Sequence, residues 1–285
     1  MKTRLLTAAV GIPLALAILI ASAYLPAIFY AAMFTLCMIG VYEALKSTGA
    51  NKAKIIYIPC FLYGAVIMAA PFFDLSAVTL TASLIFLFVM FGILIKNHDI
   101  LRIETLCTAM ILTMFVSFPF MVVELIFGSI ISQSTRTASH AGGVVLVAYC
   151  ITVAWLADGG AYFIGRAFGK HKLAPVISPK KTIEGAAGGF VTSLIISPAA
   201  AYLYADVLDY LPDRLNYVNL AIISAVCIVM SMFGDISFSA IKRQYGVKDF
   251  GNLLPGHGGV LDRFDSVLFV CPTFYLLNFV LPIMK

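Results

Sequence analysis

Four aspartates stand where an apolar chain should not hold them: Asp158, Asp235, Asp262 and Asp265 lie at the edges of strongly apolar stretches. A carboxylate in such surroundings is costly unless a cavity, a cation or a basic side chain receives it. A buried Asp–Arg pair would explain any one of them, but several at a similar depth favour a shared cationic site. Asp262 and Asp265 are three residues apart, hence expected as near neighbours on a helix face. Asp235, Ser239 and Lys242 fall at i, i+4 and i+7, also one face. Oxygen donors without a Cys or His cluster suit a hard cation such as Mg²⁺, alone or with a second cation. Such an ion takes one or two carboxylates plus substrate phosphates.

Two polar segments accompany these acids. The first reads Ser178-Pro179-Lys180-Lys181-Thr182-Ile183-Glu184-Gly185, followed by Gly188 and Gly189. Its ammonium groups, hydroxyls and helix N-terminal N–H donors could cradle phosphate. It is not a P-loop, because G-x-x-x-x-G-K-[ST] is absent. Lysines at a membrane surface also serve orientation alone, and Glu184 could simply complement a helix dipole.

The second segment runs from Ser239 to Asp265. It holds Lys242, Arg243, Lys248, Asp249, Gly251, Gly256, His257, Gly258, Gly259, Asp262 and Arg263. Its glycines permit close backbone approach to a ligand, and it mixes cations for phosphate with carboxylates for metal.

This segment, with the spacing Ser-x-x-Lys-Arg-x4-Lys-Asp through His-Gly-Gly-x2-Asp-Arg-x-Asp, resembles the signature of the phosphatidate cytidylyltransferases, also called CDP-diacylglycerol synthases. The Ser178–Gly185 stretch looks like a second region of that family. The resemblance is carried by roughly residues 155–265. It implies transfer of the cytidylyl group of CTP to phosphatidate with Mg²⁺, giving CDP-diacylglycerol and pyrophosphate, and it implies a homodimer. Asp235 and Asp262 are then expected as metal ligands, with Asp249 as a further candidate and Asp265 close by. Ser239 would support that cluster. Lys242, Arg243, Lys248 and Arg263 would hold lipid or nucleotide phosphates. Ser178, Lys180, Lys181, Thr182 and Glu184 would serve the triphosphate or the leaving pyrophosphate. Asp158 is a candidate for metal or nucleotide contact, and His257 either donates to a phosphate oxygen or stabilises its turn.

The elements that must position these residues are helices in lipid. Of 285 residues, 61% are apolar and 12% charged, and the mean hydropathy is +1.00; soluble domains carry about 25% charged residues. That excludes an ordinary cytosolic enzyme, a disordered tail and a disulfide scaffold. The expected fold is all-α, a polytopic membrane bundle of nine spans near 5–24, 26–42, 55–73, 76–95, 105–131, 142–164, 186–205, 218–238 and 266–284. Spans one to five, to residue 140, form an N-terminal part. Spans six to nine, 141–285, carry the catalytic loops. The fifth span holds Pro119 and is expected to be tilted, kinked or broken. Glu124 is expected as the intramembrane charge of the first half, either functional or hydrogen-bonded within the bundle.

Charge placement orients the chain. With the N-terminus inside, inner segments collect Lys2 and Arg4; Lys46, Lys52 and Lys54; Lys96 and Arg102. Further on they collect Arg166, Lys170, Lys172, Lys180 and Lys181; then Lys242, Arg243, Lys248 and Arg263. These are sixteen of the nineteen basic residues. Arg136, Arg214 and Lys285 remain outside, with Asp206, Asp209 and Asp213 in an outer loop. Lys and Arg excess marks the cytoplasmic face, so the N-terminus is expected inside, the C-terminus outside, and the active site cytoplasmic in a bacterial inner membrane. The start imitates a secretory signal ending at Ala21-Ser22-Ala23, but an uncleaved first helix is favoured because the next span follows at once.

The six single cysteines read as small buried hydrophobes. Partners expected are CTP, phosphatidate and the bilayer, with no nucleic acid. Rival readings are weaker. Asp158-Gly159-Gly160 opens like the CDP-alcohol phosphotransferase motif, but Tyr162 stands where that motif needs arginine. A CTP-dependent lipid-alcohol kinase would not need the full signature. A cation-coupled transporter should show internal repeats.

Overall fold

A computed structural model describes residues 2–49, 54–129, 141–207, 215–256 and 258–284. His257 lies outside the described residues, as do Lys52, Arg136, Asp209, Asp213, Arg214 and Lys285. Among the described residues each of the nine expected apolar stretches is mainly helical. The helices are α1 (Lys2–Tyr24), α2 (Pro26–Ser47), α3 (Tyr57–Ala69), α4 (Leu75–Lys96), α5 (Ile103–Ser129), α6 (Ala141–Phe168), α7 (Ile183–Tyr202), α8 (Tyr217–Gln244), the short α9 (Leu261–Phe264) and α10 (Val267–Val280). Among the described residues seven helical segments, corresponding to α2 through α8, are long and apolar enough to cross a membrane. Large side chains on their outer faces stay exposed, such as Leu80, Phe88 and Ile95 on α4. Lipid-facing positions have no reason to avoid apolar groups, whereas a water-facing helix would carry charge there.

The all-α expectation holds, with one small addition. Between α6 and α7 a two-stranded antiparallel hairpin forms from β1 (Lys172–Ala174) and β2 (Ser178–Thr182), pairing Lys172 with Thr182 and Ala174 with Ser178. Pro179 is tolerated because each strand has an open edge. Two further expectations are refined. α5 continues through Pro119, so of the tilt, kink or break expected there the break is absent. α2 extends to Ser47 and so takes in Glu43, making Glu124 one of two buried acids within helices of the first half. The reason is local: Ala44-Leu45 follows Glu43 and keeps the helix going to Lys46, whose charge suits the C-terminal end.

The chain forms two compact units that do not follow chain order. One comprises 1–18, 27–125 and 244–263; the other comprises 19–26, 126–243 and 264–285. In the second unit α6 and α7 lie close because small residues meet at the crossing. A Cβ on Gly189 would overlap the Ala157 carbonyl oxygen, and one on Gly160 would press on Thr192 and Gly189. Ser193 Oγ donates to the Val153 carbonyl at 2.9 Å across the same seam. Close approach through small residues, with hydroxyls bonding between helices, is how helices pack where lipid removes the hydrophobic drive. The core of the first unit includes Phe29, Val41, Leu45, Met90 and Phe120. Five of the six cysteines are buried, Cys107 is half-buried, and all are unpaired, as small hydrophobes should be.

Candidate active site

In the second unit the hairpin, α6, α7 and α8 enclose a cavity of about 560 Å³, within the ~300–1,000 Å³ usual for small-molecule sites. Asp158 enters from α6 and Asp235 from α8, while Arg166, Lys172, Lys180 and Lys181 supply four cations and Thr182 a hydroxyl. Lys181 Nζ forms an ion pair with Asp235 Oδ2, each side chain being 25% exposed.

The hairpin is held from both ends. Thr182 caps α7, accepting from Gly185 N at 3.1 Å, the expected role of a threonine before a helix. Its side chain sits so near Gly165, Gly169 and Gly185 that a Cβ on any of the three would crowd it. Glu184, in the first turn of α7, reaches back to the start of the hairpin. Its carboxylate accepts from Lys170 N at 3.0 Å and His171 N at 3.2 Å, and it meets His171 Nδ1 at 2.6 Å. Glu184 thus acts on the hairpin itself and is not among the cavity-lining residues.

Around Asp235 the acids gather. Ser239 Oγ donates to Asp235 Oδ1 at 3.5 Å, one turn on, as the i, i+4 spacing predicts. A Cβ on Gly234 would meet the Asp265 carbonyl and Phe269, so glycine lets α8 approach the segment that opens α10. Ser266 Oγ donates to Asp158 Oδ2 at 3.0 Å, and Ser266 N to Asp265 Oδ1 at 2.9 Å. Burial pushes the Asp265 carboxyl up to about 7; the Asp235 and Asp158 charges add to this and Lys242 opposes it. Lys242 is buried, whereas Arg243 is exposed and donates through Nε to the Ile177 carbonyl at 3.3 Å. α9 ends at Phe264, so Asp265 follows that helix rather than continuing its face. The signature acid pair therefore does not stand on one uninterrupted helix, because the chain turns before α10 begins.

In the first unit the glycine-rich loop closes on two carboxylates. Asp262 Oδ2 accepts from Phe250 N at 2.8 Å and Gly259 N at 2.9 Å. Leu254 and Gly258 form an isolated antiparallel bridge, and Gly256 and Gly258 adopt φ of 78° and 88°. Those angles explain why glycine is needed at both positions. Glu43 of α2 accepts from Val260 N at 3.1 Å and Leu261 N at 3.0 Å. Nothing in the motif pointed to Glu43; its one sequence signal is an acid following Gly40 and preceding Lys46 in an apolar run. Lys248 and Asp249, just before this loop, and Arg263, in α9, are exposed.

Among the described residues no three His, Cys, Asp or Glu side chains form a ready-made metal cage. The donor set nevertheless fits a hard cation. Asp158 and Asp235 offer carboxylate oxygens to the same cavity as four cationic side chains, and Mg²⁺ needs only one or two such ligands when phosphates complete its shell.

Comparison with known proteins bears on the same residues. The profile of the family described as "Cytidylyltransferase family" matches residues 2–281. A phosphatidate cytidylyltransferase of Staphylococcus haemolyticus is 46% identical over 144 residues, 50% of this chain and 52% of that protein. The Bacillus subtilis protein of the same name is 47% identical over 135 residues, 47% and 48% of the two chains. In these alignments the chain spans about half the length of its relatives. The Staphylococcus aureus (strain COL) phosphatidate cytidylyltransferase is 33% identical over 99% of both chains.

Proposed function

This chain belongs to the cytidylyltransferase family, and from that premise we propose that it joins CTP to phosphatidate, giving CDP-diacylglycerol and pyrophosphate. The observation that carries the reading is the cavity lined together by Asp158, Asp235, Arg166, Lys172, Lys180 and Lys181. Mixed carboxylates and cations in one pocket suit a magnesium–triphosphate complex; a site for a neutral ligand would need neither.

In the proposed reaction a phosphate oxygen of phosphatidate attacks the α-phosphorus of CTP, the bond to the β-phosphate oxygen breaks, and pyrophosphate leaves. The nucleophile is already anionic, so no general base and no covalent enzyme intermediate are needed. The protein's work is orientation and charge neutralisation. Lys180 and Lys181, with Thr182 and Ser178 on the same hairpin, hold the triphosphate and the departing pyrophosphate. Lys242, Arg243, Lys248 and Arg263 hold the remaining phosphates. Asp235, with Asp158 lining the same cavity, would hold Mg²⁺, which would neutralise charge on the phosphates; the family resemblance adds Asp262 and Asp249 of the first unit as metal candidates. Asp265 and Ser239 support the acids beside them.

The same reading places the chain in a bacterial inner membrane with nine spans, N-terminus inside, C-terminus outside and the site cytoplasmic, supported by the one-sided basic residues. A homodimer is part of the proposal through the family resemblance.

The test mixes purified protein, labelled CTP, phosphatidate and Mg²⁺ in detergent. Lipid-soluble cytidine label with equimolar pyrophosphate is the expected result. Phosphorylation of a lipid alcohol at the expense of CTP, or ion-driven uptake with no nucleotide turnover, would replace this reading.

A further inference from the structure

Glu43 is 4% exposed and carried by α2, yet both its carboxylate oxygens are occupied by the glycine-rich loop more than two hundred residues later. The loop is built to receive it. For a Cβ placed on Gly259 the three nearest atoms would all be Glu43's, inside van der Waals contact, and the same holds for Gly251. One turn back on the same face, Gly40 leaves room for the Leu261 side chain. Neither Gly251 nor Gly259 has a positive φ, so their lack of a side chain answers to Glu43 and not to backbone strain. Asp262 grips the loop from within through Phe250 N and Gly259 N, while Glu43 takes the next two N–H groups, Val260 and Leu261. Four backbone donors are thereby directed onto two carboxylates. Without Glu43 the last two would be left unsatisfied in a buried setting.

We infer that Glu43 is a positioning residue for the loop 250–262, and that it fixes the reactive geometry of Lys248, Asp249, Asp262 and Arg263 without touching substrate. The inference rests on the cytidylyltransferase reading for its catalytic consequence, but its structural half stands on the hydrogen bonds alone. A negatively charged acceptor with two oxygens is the group suited to two adjacent N–H donors. A glutamine at position 43 would satisfy one donor and turn its own N–H₂ toward the other.

The experiment uses the full-length protein in detergent with Glu43→Ala, Glu43→Gln, Gly259→Ala and the double variant Glu43→Ala/Gly259→Ala. Each is measured for kcat and KM with CTP and phosphatidate, and for amide hydrogen exchange. Glu43→Ala should lower kcat by ~10²-fold, the cost of a small displacement of reacting groups, and Glu43→Gln by less. Exchange should accelerate at residues 250–262 while α3, α4 and α5 keep their protection. Gly259→Ala should harm the wild type, yet add little once Glu43 is alanine, because its Cβ then has space. Unchanged exchange at 250–262 in Glu43→Ala would overturn the inference, as would a uniform loss of protection throughout the helices. So would equal effects of Gly259→Ala in both backgrounds. If the wild type makes no CDP-diacylglycerol, the functional reading falls, and the exchange pattern and the Gly259 pairing alone decide whether Glu43 holds the loop.

Discussion

Lys181 and Asp235 are ion-paired across the wall of the charged cavity, the lysine from the hairpin and the aspartate from α8. The pair joins two half-buried charges, and Asp235 also accepts from Ser239 Oγ. It also joins a residue proposed for the triphosphate to one proposed for the metal, so a ligand that binds both must separate them. The ammonium would move to phosphate as the carboxylate takes the cation.

Replacing Lys181 with alanine should therefore weaken the nucleotide more than it disturbs the fold. A hydrogen bond to a charged group contributes about 1.5–3 kcal/mol, so KM for CTP should rise by roughly 10- to 100-fold, with at most a small fall in the midpoint of thermal unfolding from the loss of the Asp235 partner. Asp235→Asn should instead depress kcat, by roughly 10²-fold or more, at saturating CTP. Steady-state kinetics on the two variants separates the roles; a kcat-only effect of Lys181→Ala would remove it from the triphosphate.

Glu184 makes a different prediction, because its contacts are with the hairpin and not the cavity. Glu184→Ala leaves the N–H groups of Lys170 and His171 without their acceptor. The segment 169–182 should become open to limited proteolysis, and KM for CTP should rise because Lys172, Lys180 and Lys181 lose their shared platform. His171→Ala removes only the side-chain part of the contact and should have a smaller effect in both assays.

How far these features could be read in advance depended on whether they were local. The nine apolar stretches are helices because each is a long run with few charges, and the Asp235–Ser239 spacing translated directly into a contact. Thr182 before a helix was equally readable as a cap, though it was expected as a phosphate ligand. What escaped was long-range. Glu43 lies inside an apolar run and its partners are at 260 and 261, a pairing no periodicity encodes. The β1–β2 hairpin was hidden because its residues, dominated by lysine, proline and serine, have weak strand preference, and it is fixed by Glu184 and the α6–α7 seam instead. The expected helical neighbours Asp262 and Asp265 failed for a related reason: a three-residue spacing implies one face only if the helix continues, and α9 stops at Phe264.

The α6–α7 seam should be intolerant of bulk. Gly189→Val places branched carbons against the Ala157 carbonyl and Ala161, and overpacking of this kind costs typically ~1–3 kcal/mol. The midpoint of thermal unfolding in detergent should fall. Activity per folded molecule should fall as well, because α6 carries Asp158 and α7 begins at the hairpin. Gly159→Ala is the control: a Cβ there meets no atom within 4 Å, so stability should be unchanged or slightly higher, since alanine is the better helix former.

Asp262 has two duties in this picture, and one substitution can separate them. Its Oδ2 already accepts from Phe250 N and Gly259 N, so Asp262→Asn can lose activity through the proposed metal ligation, through the loop, or through both. If ligation matters, turnover should be abolished at every Mg²⁺ concentration while the protein still inserts in the membrane and keeps its helical circular dichroism. If the carboxylate only shapes the loop, activity should be partial and retain the wild-type Mg²⁺ dependence, with faster hydrogen exchange at 250–259. Titrating Mg²⁺ into chelator-treated wild type and variant gives the comparison. Full Mg²⁺-dependent turnover by Asp262→Asn would exclude this residue from the proposed metal site and leave Asp235 and Asp158, which line the same cavity, as the remaining candidates.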